Sequence, residues 1–229
     1  MPQLKVLSGN GPRAAVRALS SQFERETGYA VELHFEANPD VIKRGESGES
    51  FDLAIGNPAT IERLIKSGKV VAGSRRDIGH AGLALAVRAG APKPDIASVE
   101  AFKKTLLAVK AVAFPGKGAS GHYFVSLLDR MGIAREMQAK LTPMAAEDCV
   151  EIVARGEADM VVVVATRIVG VPGVDVAGPI PEELQTKIGF AAGLSAATKE
   201  PDAAKALIAF LSAPSAAATL RAKGVEPAH

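Results

Sequence analysis

Residues 4–37, LKVLSGNGPRAAVRALSSQFERETGYAVELHFEA, decide the fold class because they hold a strand, a helix and a second strand in succession. The patterns at 4–8 and 30–37 predict the two strands. Residues 11–28 carry one apolar face at helical spacing and end on a glycine, which is typical of a helix with a glycine C-cap. A helix that joins two strands predicts a parallel pair, and therefore an α/β protein.

The same alternation continues along the chain and predicts mostly parallel sheets flanked by helices. Further strands are predicted at 51–57, 82–90, 109–114, 158–166 and 187–195, and further helices at 59–68, 98–108, 120–132, 145–157, 201–214 and 215–224, with a short helix and turn after residue 37.

Two of these strands, 82–90 and 187–195, are flanked by loop-like sequence on both sides. We interpret them as a two-strand hinge that crosses between two lobes. Lobe one is then predicted at residues 1–81 with 196–229, and lobe two at 82–195 with the hinge strands included.

The composition excludes several classes of function. Of 229 residues, 48% are hydrophobic and 4% aromatic, and 27 basic residues nearly cancel 25 acidic ones. Dispersed charge and few aromatic rings disfavour a nucleic-acid partner. The longest apolar run, 160–166, is too short to span a bilayer. A single cysteine, Cys149, excludes an internal disulfide and a thiolate cluster, and the histidine spacing predicts neither a metal site nor a cofactor.

Small polar residues follow several predicted strands, where ligands gather in open parallel sheets. In the first half these are Ser8, Gly9, Asn10, Asn38 and Asn57, and in the second half they are residues 115–121 with Thr166 and Arg167. Free backbone N–H groups at helix starts suit an anion. Ordinary turn chemistry explains each loop equally well when it is taken alone.

The stretch FPGKGASGHYF, residues 114–124, fits an anion cradle better than its two alternatives. A phosphate loop needs Gly, four residues and then Gly-Lys-Ser/Thr, and here the lysine sits between glycines. A nucleophilic Ser120 lacks the Gly-x-Ser-x-Gly spacing of a hydrolase elbow. For a binding protein we therefore predict a small anion as the ligand of this loop and no catalytic residue in it.

Six stretches in order resemble the type II periplasmic solute-binding proteins, in the branch similar to molybdate-binding subunits of ABC transporters. They are LKVLSGNGPRAAVRALSSQFERETGYAVEL, FDLAIGNPATIERLIKSGKV, AGLALAVRAGAP, SGHYFVSLLDRMGI, VARGEADMVVVVATRI and PGVDVAGPIPEELQ. The resemblance implies a periplasmic-binding-protein-like II fold of two α/β lobes. It further implies an anion captured between the lobes, an ABC transporter permease as partner and a monomeric protein.

The resemblance also implies a periplasmic location. MPQLKVLSG runs directly into a predicted strand, so we expect that a signal peptide is absent from this sequence.

Carried over residue by residue, the resemblance places ligand contacts on both halves of the chain. They are Ser8, Gly9, Asn10 and Asn38, with Asn57 near, and then Ala119, Ser120 and Cys149. We add Gly121 and His122, from the first turn of the predicted helix, and Arg167, whose guanidinium suits a carboxylate.

Two departures from the family pattern bear on the ligand. The stretch VVVVATRI resembles the stretch GIVYATDA of molybdate binders. It has Val164 in place of the tyrosine of that stretch and Arg167 in place of its aspartate. Asn38-Pro39 replaces a serine pair. Lost hydroxyl donors leave a tetrahedral oxyanion under-satisfied, so the ligand stays open between an oxyanion such as molybdate and a small carboxylate.

An alternative function belongs to another class. Aconitate isomerase, which moves a double bond in a small tricarboxylate, is similar to these binding proteins. Such chemistry needs a base that removes a proton beside a carboxylate and returns it one carbon away. His80, His122 and Ser120 are the candidate bases.

Overall fold

The computed structural model describes residues 3–117, 119–145 and 148–228. The chain divides into two compact units by its internal contacts. Unit one takes the described residues up to His80 and those from Gly189 onward, and unit two is Ala81–Ile188.

Strands and helices alternate through most of both units. The strands are Gln3–Gly9 (β1), Ala30–Glu36 (β2), Leu53–Gly56 (β3), Arg76–Ala81 (β4), Leu83–Arg88 (β5), Val112–Pro115 (β6), Leu141–Met144 (β7), Met160–Val164 (β8), Val174–Pro179 (β9), Ile188–Leu194 (β10) and Glu226–Pro227 (β11). The helices are Arg13–Thr27 (α1), Asn38–Glu46 (α2), Pro58–Lys66 (α3), Val99–Ala108 (α4), Ala119–Arg130 (α5), Ala134–Met137 (α6), Glu151–Ala154 (α7), Pro201–Leu211 (α8) and Ala217–Ala222 (α9). The predicted α/β class, with two sheets flanked by helices, is confirmed.

Unit one is built on a six-stranded sheet in the order β11-β4-β10-β3-β1-β2. β1 pairs in parallel with both β2 and β3, whereas β10 pairs antiparallel with β3. Helix α1 buries the face that holds Leu19 and Phe23, and the Phe23 ring packs against Tyr29 and Phe210. It ends at Gly28, whose φ of 76° is left-handed and whose N–H donates to the Glu24 carbonyl.

Unit two is built on a five-stranded sheet in the order β7-β6-β8-β5-β9. β6 pairs in parallel with β7 and β8, and β5 pairs antiparallel with β8 and β9. β8 reads MVVVV and is buried along its whole length, because a central strand covered on both faces needs a continuous apolar run. Phe102 of α4 and Phe124 of α5 pack into the core of this unit.

The sequence missed the strands that lack a clear apolar pattern. β4 reads RDIGHA, and only one of its residues has a high strand propensity. β7 reads LTPM and lies at the edge of its sheet, where a proline is tolerated because its missing N–H faces away from the ladder. The helix predicted at 145–157 is only the short α7, and residues 146–147 lie outside the described part of the chain.

The unit boundaries differ from the predicted lobes at the second crossing. Residues 187–195 are predicted in lobe two, whereas unit one resumes at Gly189. The reason is that β10 pairs along β3, with Ala191 opposite Gly56 and Leu194 opposite Leu53.

Among the described helices, no single one is long and apolar enough to cross a membrane. Only the bent pair formed by α8 and Pro214–Ala222 reaches that length and composition together, and α8 buries its apolar residues in the protein.

Candidate functional site: two strand-end clusters

The carboxyl ends of β1, β2 and β3 lie at one edge of the unit-one sheet, because these three strands run parallel. The five residues predicted for this unit lie there: Ser8 and Gly9 end β1, Asn10 follows it, Asn38 follows β2 and Asn57 follows β3. We call these five residues the unit-one cluster.

Asn38 joins the loops of the unit-one cluster. Its Oδ1 accepts a hydrogen bond from the Asn57 N–H at 3.2 Å. A Cβ atom added at Gly9 or at Gly56 would lie 2.8 Å from that oxygen, so both positions need a glycine for this close approach. Because a backbone N–H only donates, the contacting atom of Asn38 is its amide oxygen. The amide NH₂ makes no hydrogen bond to a described residue and remains available to a ligand.

The Ser8 hydroxyl and the Asn10 backbone N–H are already engaged in hydrogen bonds. Ser8 is fully buried, and its hydroxyl donates to the Gly9 carbonyl at 3.0 Å. The Asn10 N–H donates to the Glu36 carbonyl at 2.8 Å. Ser8 therefore has to turn its hydroxyl away from Gly9 before it can donate to a ligand.

Two helices begin at this edge with open N-termini. Helix α2 is preceded by Ala37 and helix α3 by Asn57, and neither residue makes a side-chain cap. Asn57 occupies a position at which asparagine commonly caps, yet its side chain makes no hydrogen bond to a described residue. Each start has a proline, which lacks an N–H, and its following N–H groups donate to the carbonyl of the residue that precedes the helix. Each start therefore leaves one backbone N–H without a partner among the described residues and a partial positive charge, which favour an anion.

The carboxyl ends of β6, β7 and β8 likewise share one edge of the unit-two sheet. The predicted residues of this unit lie on the segments that follow: Ala119, Ser120, Gly121 and His122 in the first turn of α5, Cys149 after β7, and Arg167 after β8. We call these residues, together with Thr166, the unit-two cluster. Gly118, in the same loop, lies outside the described residues.

Gly121 fixes how α5 starts. A Cβ atom at this position would lie 1.6 Å from the Pro115 carbonyl oxygen, so only glycine lets the helix fold back onto the end of β6. The neighbouring Gly116 N–H donates to the Met144 carbonyl at 2.8 Å and ties the loop to β7. Ser120 is half-buried at the helix start, whereas Ala119 and His122 are exposed.

Cys149 is fully buried. Its backbone N–H donates to the Ala145 carbonyl at 3.2 Å. Neither its thiol nor its N–H is therefore presented at the surface of unit two.

Arg167 differs from the other half-buried arginines. Arg44 contacts Glu36 and Glu49, and Arg75 contacts Glu62 and Asp77. The hydrogen bond that Arg75 donates to Glu62 is the main reason why the pKa of Arg75 is raised above its usual value. Arg167 lies in the 3-10 turn after β8 and has no ion pair or hydrogen bond with any described residue.

Thr166 is among the polar residues noted after the predicted strands, but it was not one of the predicted ligand contacts, although it directly precedes Arg167. It is 7% exposed, and its Oγ1 has no hydrogen-bond partner among the described residues. Its position at the end of a buried strand, beside a cationic residue, was the available signal in the sequence.

The remaining candidate, His80, belongs to neither cluster. His80 is half-buried on β4, opposite Glu226 of β11. Within the described residues, no group of three or more His, Cys, Asp or Glu side chains is placed to hold a metal ion. A surface depression of about 560 Å³ beside α8 and residues 71–76 contains none of the predicted site residues.

The comparisons with known proteins cover almost the whole chain. The profile of the family described as "Bacterial extracellular solute-binding protein" matches residues 4–226. An aconitate isomerase of Pseudomonas sp is 33% identical over 98% of this chain and 87% of its own length. The molybdate-binding protein ModA of Azotobacter vinelandii is 26% identical over 92% of this chain and 84% of its own length. The solved substrate-binding domain of a putative molybdenum ABC transporter from Clostridium difficile covers 100% of both chains with a TM-score of 0.81 at 18% identity.

The chain therefore belongs to the bacterial extracellular solute-binding proteins. The predicted type II fold, in the branch similar to molybdate-binding proteins, is confirmed.

Proposed function

We propose that this protein captures a small anion, specifically a small di- or tricarboxylate, and delivers it to an ABC transporter permease from an extracytoplasmic, periplasmic location. The observation that carries the proposal is Arg167, a half-buried guanidinium with no acidic partner among the described residues.

An unpaired cation that is partly withdrawn from water favours an anionic ligand. Removing a charge from water costs free energy unless an opposite charge compensates, and Arg44 and Arg75 have that compensation inside the protein. A ligand carboxylate supplies the same compensation to Arg167 through two parallel hydrogen bonds to the planar guanidinium.

The unit-one cluster supports the proposal with neutral donors. The side-chain NH₂ groups of Asn38 and Asn57 are available as hydrogen-bond donors, and the starts of α2 and α3 are not capped by side chains. Several neutral donors bind an anion without adding charge.

Two residues at the end of β8, Val164 and Arg167, favour a carboxylate ligand over a tetrahedral oxyanion. Val164 is an apolar residue with 7% of its surface exposed and offers no donor at the end of β8. The nearby cation is the planar guanidinium of Arg167, which matches a carboxylate in geometry. The similarity to a protein named for aconitate, a tricarboxylate, agrees with this choice.

A ligand panel tests the proposal. Molybdate, tungstate, sulfate, phosphate, succinate, citrate and trans-aconitate are each added to the purified protein, and the melting temperature and calorimetric Kd are measured. We expect one or more carboxylates to raise the melting temperature, because a ligand that binds only the native state stabilises it. A melting temperature that no anion changes contradicts the proposal.

Arg167→Gln and Arg135→Gln form a matched pair for the same assay. Both remove one positive charge from unit two, but Arg135 is exposed on α6. Loss of a charge-assisted contact is expected to weaken carboxylate binding by about 2 kcal/mol, roughly 30-fold, in Arg167→Gln. Arg135→Gln is expected to bind like the parent protein, and equal affinity of the two variants contradicts the role of Arg167.

A second candidate function is isomerisation of a small tricarboxylate, which the 33% identity to an aconitate isomerase favours. A base removes a proton from the carbon beside a carboxylate, the double bond shifts, and the proton returns to the carbon at the far end of the allylic system. Ser120 and His80 are half-buried and His122 is exposed, so each is reachable from solvent as a base.

Ultraviolet absorbance of trans-aconitate incubated with the protein separates the two functions. Turnover to cis-aconitate that falls at least 100-fold in His80→Ala or His122→Ala supports the enzyme, in line with typical losses of a general base. Binding of trans-aconitate with no conversion supports the solute-binding function.

A further inference from the structure

Two buried hydroxyl oxygens make no hydrogen bond within the described part of the chain, Ser20 Oγ and Thr166 Oγ1. A buried polar group without a partner destabilises the native state, so each such group in a folded protein calls for an explanation. Ser20 is 2% exposed and Thr166 is 7% exposed, so water has little access to either residue.

Ser20 has a local explanation. It lies in the middle of α1, where the carbonyl oxygen of the residue four positions earlier is one helical turn away. A serine in a helix commonly turns its hydroxyl toward that carbonyl. A rotation about one side-chain bond therefore provides Ser20 with an acceptor inside its own helix.

Thr166 has no such acceptor. The chain before it is extended, with φ −57° and ψ 134° at Val164, so no helical turn precedes the 3-10 turn Ala165–Arg167. The Ala165 N–H donates to the Gly82 carbonyl at 2.9 Å, and Ile168, on the other side, is 1% exposed. The backbone around Thr166 is thus held in place while its hydroxyl is left without a partner.

Thr166 and Arg167 are consecutive, and both lack a partner among the described residues. They follow β8, at the edge of the sheet where β6 and β7 also end. One side chain offers a hydroxyl donor and the other a cationic donor, and a carboxylate accepts from both kinds.

We propose that the Thr166 hydroxyl is a ligand-binding group of unit two, and that with Arg167 it forms a subsite for carboxylate oxygens. The inference rests on the proposed function and adds to it the buried hydroxyl that recognises the ligand. The hydroxyl has no partner among the described residues and its oxygen is shielded from solvent. Like the Ser8 hydroxyl, it therefore has to turn toward the strand end before a ligand carboxylate can accept from it.

Thr166→Val tests the inference, because valine keeps the shape of threonine and replaces the hydroxyl with a methyl group, which cannot donate a hydrogen bond. Ser20→Ala is the matched control, since it removes the other unpartnered buried hydroxyl. Calorimetric Kd values for citrate and trans-aconitate, and melting temperatures without ligand, are measured for both variants and for the parent. We expect Thr166→Val to bind about tenfold more weakly and to melt no lower than the parent without ligand, and Ser20→Ala to keep the parent affinity.

Thr166→Ser separates the hydroxyl from the methyl group. It is expected to bind within about threefold of the parent, because it retains the donor. Equal loss of affinity in Thr166→Ser and Thr166→Val attributes the effect to packing and overturns the inference. Parent-like affinity of Thr166→Val, or a marked fall in its melting temperature without ligand, also overturns it.

Anion binding by the parent protein distinguishes failure of this inference from failure of the proposed function. If the parent binds a carboxylate and Thr166→Val binds it equally well, this inference fails and the proposed function stands. If the parent binds none of the anions in the panel, the proposed function fails and the subsite fails with it.

Discussion

The two strand-end clusters occupy equivalent places on their sheets but treat their polar groups differently. In unit one, Asn38 accepts from the Asn57 N–H and the Ser8 hydroxyl donates to the Gly9 carbonyl, so the loops are joined to one another. In unit two, the Thr166 hydroxyl and the Arg167 guanidinium make no hydrogen bond to any described residue. Unit one thus presents neutral donors on loops that are hydrogen-bonded to one another, whereas unit two presents a charge and a hydroxyl that have no partner among the described residues.

The cations of unit one underline this difference. Lys5 and Arg44 both contact Glu49, and Arg44 also contacts Glu36. The hydrogen bonds from Arg44 and Lys5 lower the pKa of Glu49 to about 2. Charge in unit one therefore stabilises the fold, and we expect that substitutions there change stability while substitution of Arg167 changes binding.

Gly121→Ala is expected to have the largest effect, because the new Cβ would lie 1.6 Å from a backbone oxygen that cannot move alone. We expect a loss of about 3 kcal/mol in the free energy of unfolding, together with a displaced start of α5. Urea denaturation measures the loss. Gly132→Ala is the control variant. Gly132 has a left-handed φ of 68°, and a Cβ atom added there would have no neighbour within 4 Å. The smaller loss of stability expected in this variant therefore measures backbone strain without a steric clash. Equal losses would show that the contact with Pro115 is not the cause.

Asn38→Ala is expected to lower the free energy of unfolding by about 2 kcal/mol, because the Asn57 N–H loses its acceptor and the loops lose their common contact. Asn38→Asp keeps an acceptor oxygen and replaces the NH₂ donor with a negative charge. We expect it to retain most of the stability and to lose anion binding, as measured by urea denaturation and calorimetry. Anion binding by Asn38→Asp at the parent affinity would exclude the amide from the site.

Much of the fold follows from local pattern, and the rest depends on tertiary contacts. The continuous valine run of β8 and the amphipathic face of α1 predict their structure because burial dictates both patterns. β4 and β7 carry polar residues or a proline, and they become strands only because a neighbouring strand offers its edge. Local sequence does not encode which edge is available.

For the candidate site, the location of the loops could be predicted from the sequence, whereas the hydrogen bonding and burial of their polar groups could not. Strand ends located the loops, and the structure places the predicted residues of each unit on segments that follow parallel strands. The state of each polar group was not predictable, because the bond from Ser8 to the Gly9 carbonyl and the burial of Cys149 are set by packing. For the same reason the sequence did not distinguish Thr166 from the other polar residues at strand ends, because the lack of a hydrogen-bond partner for its hydroxyl among the described residues is visible only in the structure.

Glu49→Gln is expected to cost between about 1 and 2 kcal/mol of stability at pH 7, after allowance for solvent screening of a side chain that is 26% exposed. The folded-state pKa of Glu49 is lowered from 4.5 to about 2. Its contribution is therefore fully present above about pH 4.5 and is lost as the pH falls toward 2. Urea denaturation at several pH values is expected to show a gap between parent and variant that closes over this range. A gap that does not change with pH would mean that the ion pairs do not cause it.

The smallest effects come from two residues that both precede a helix. Ser98 caps α4, accepting a hydrogen bond from the Ala101 N–H at 3.1 Å, whereas Asn57 precedes α3 without capping it. Ser98→Ala is expected to lose about 1 kcal/mol of stability and no affinity for the anion. Asn57→Ala is expected to show the reverse, with nearly unchanged stability and an affinity lower by about 1 kcal/mol, or roughly fivefold. Urea denaturation and calorimetry of both variants decide between the two roles. If Asn57→Ala destabilises the protein as much as Ser98→Ala and binds the anion normally, Asn57 is a structural residue and the unit-one cluster loses one of its donors.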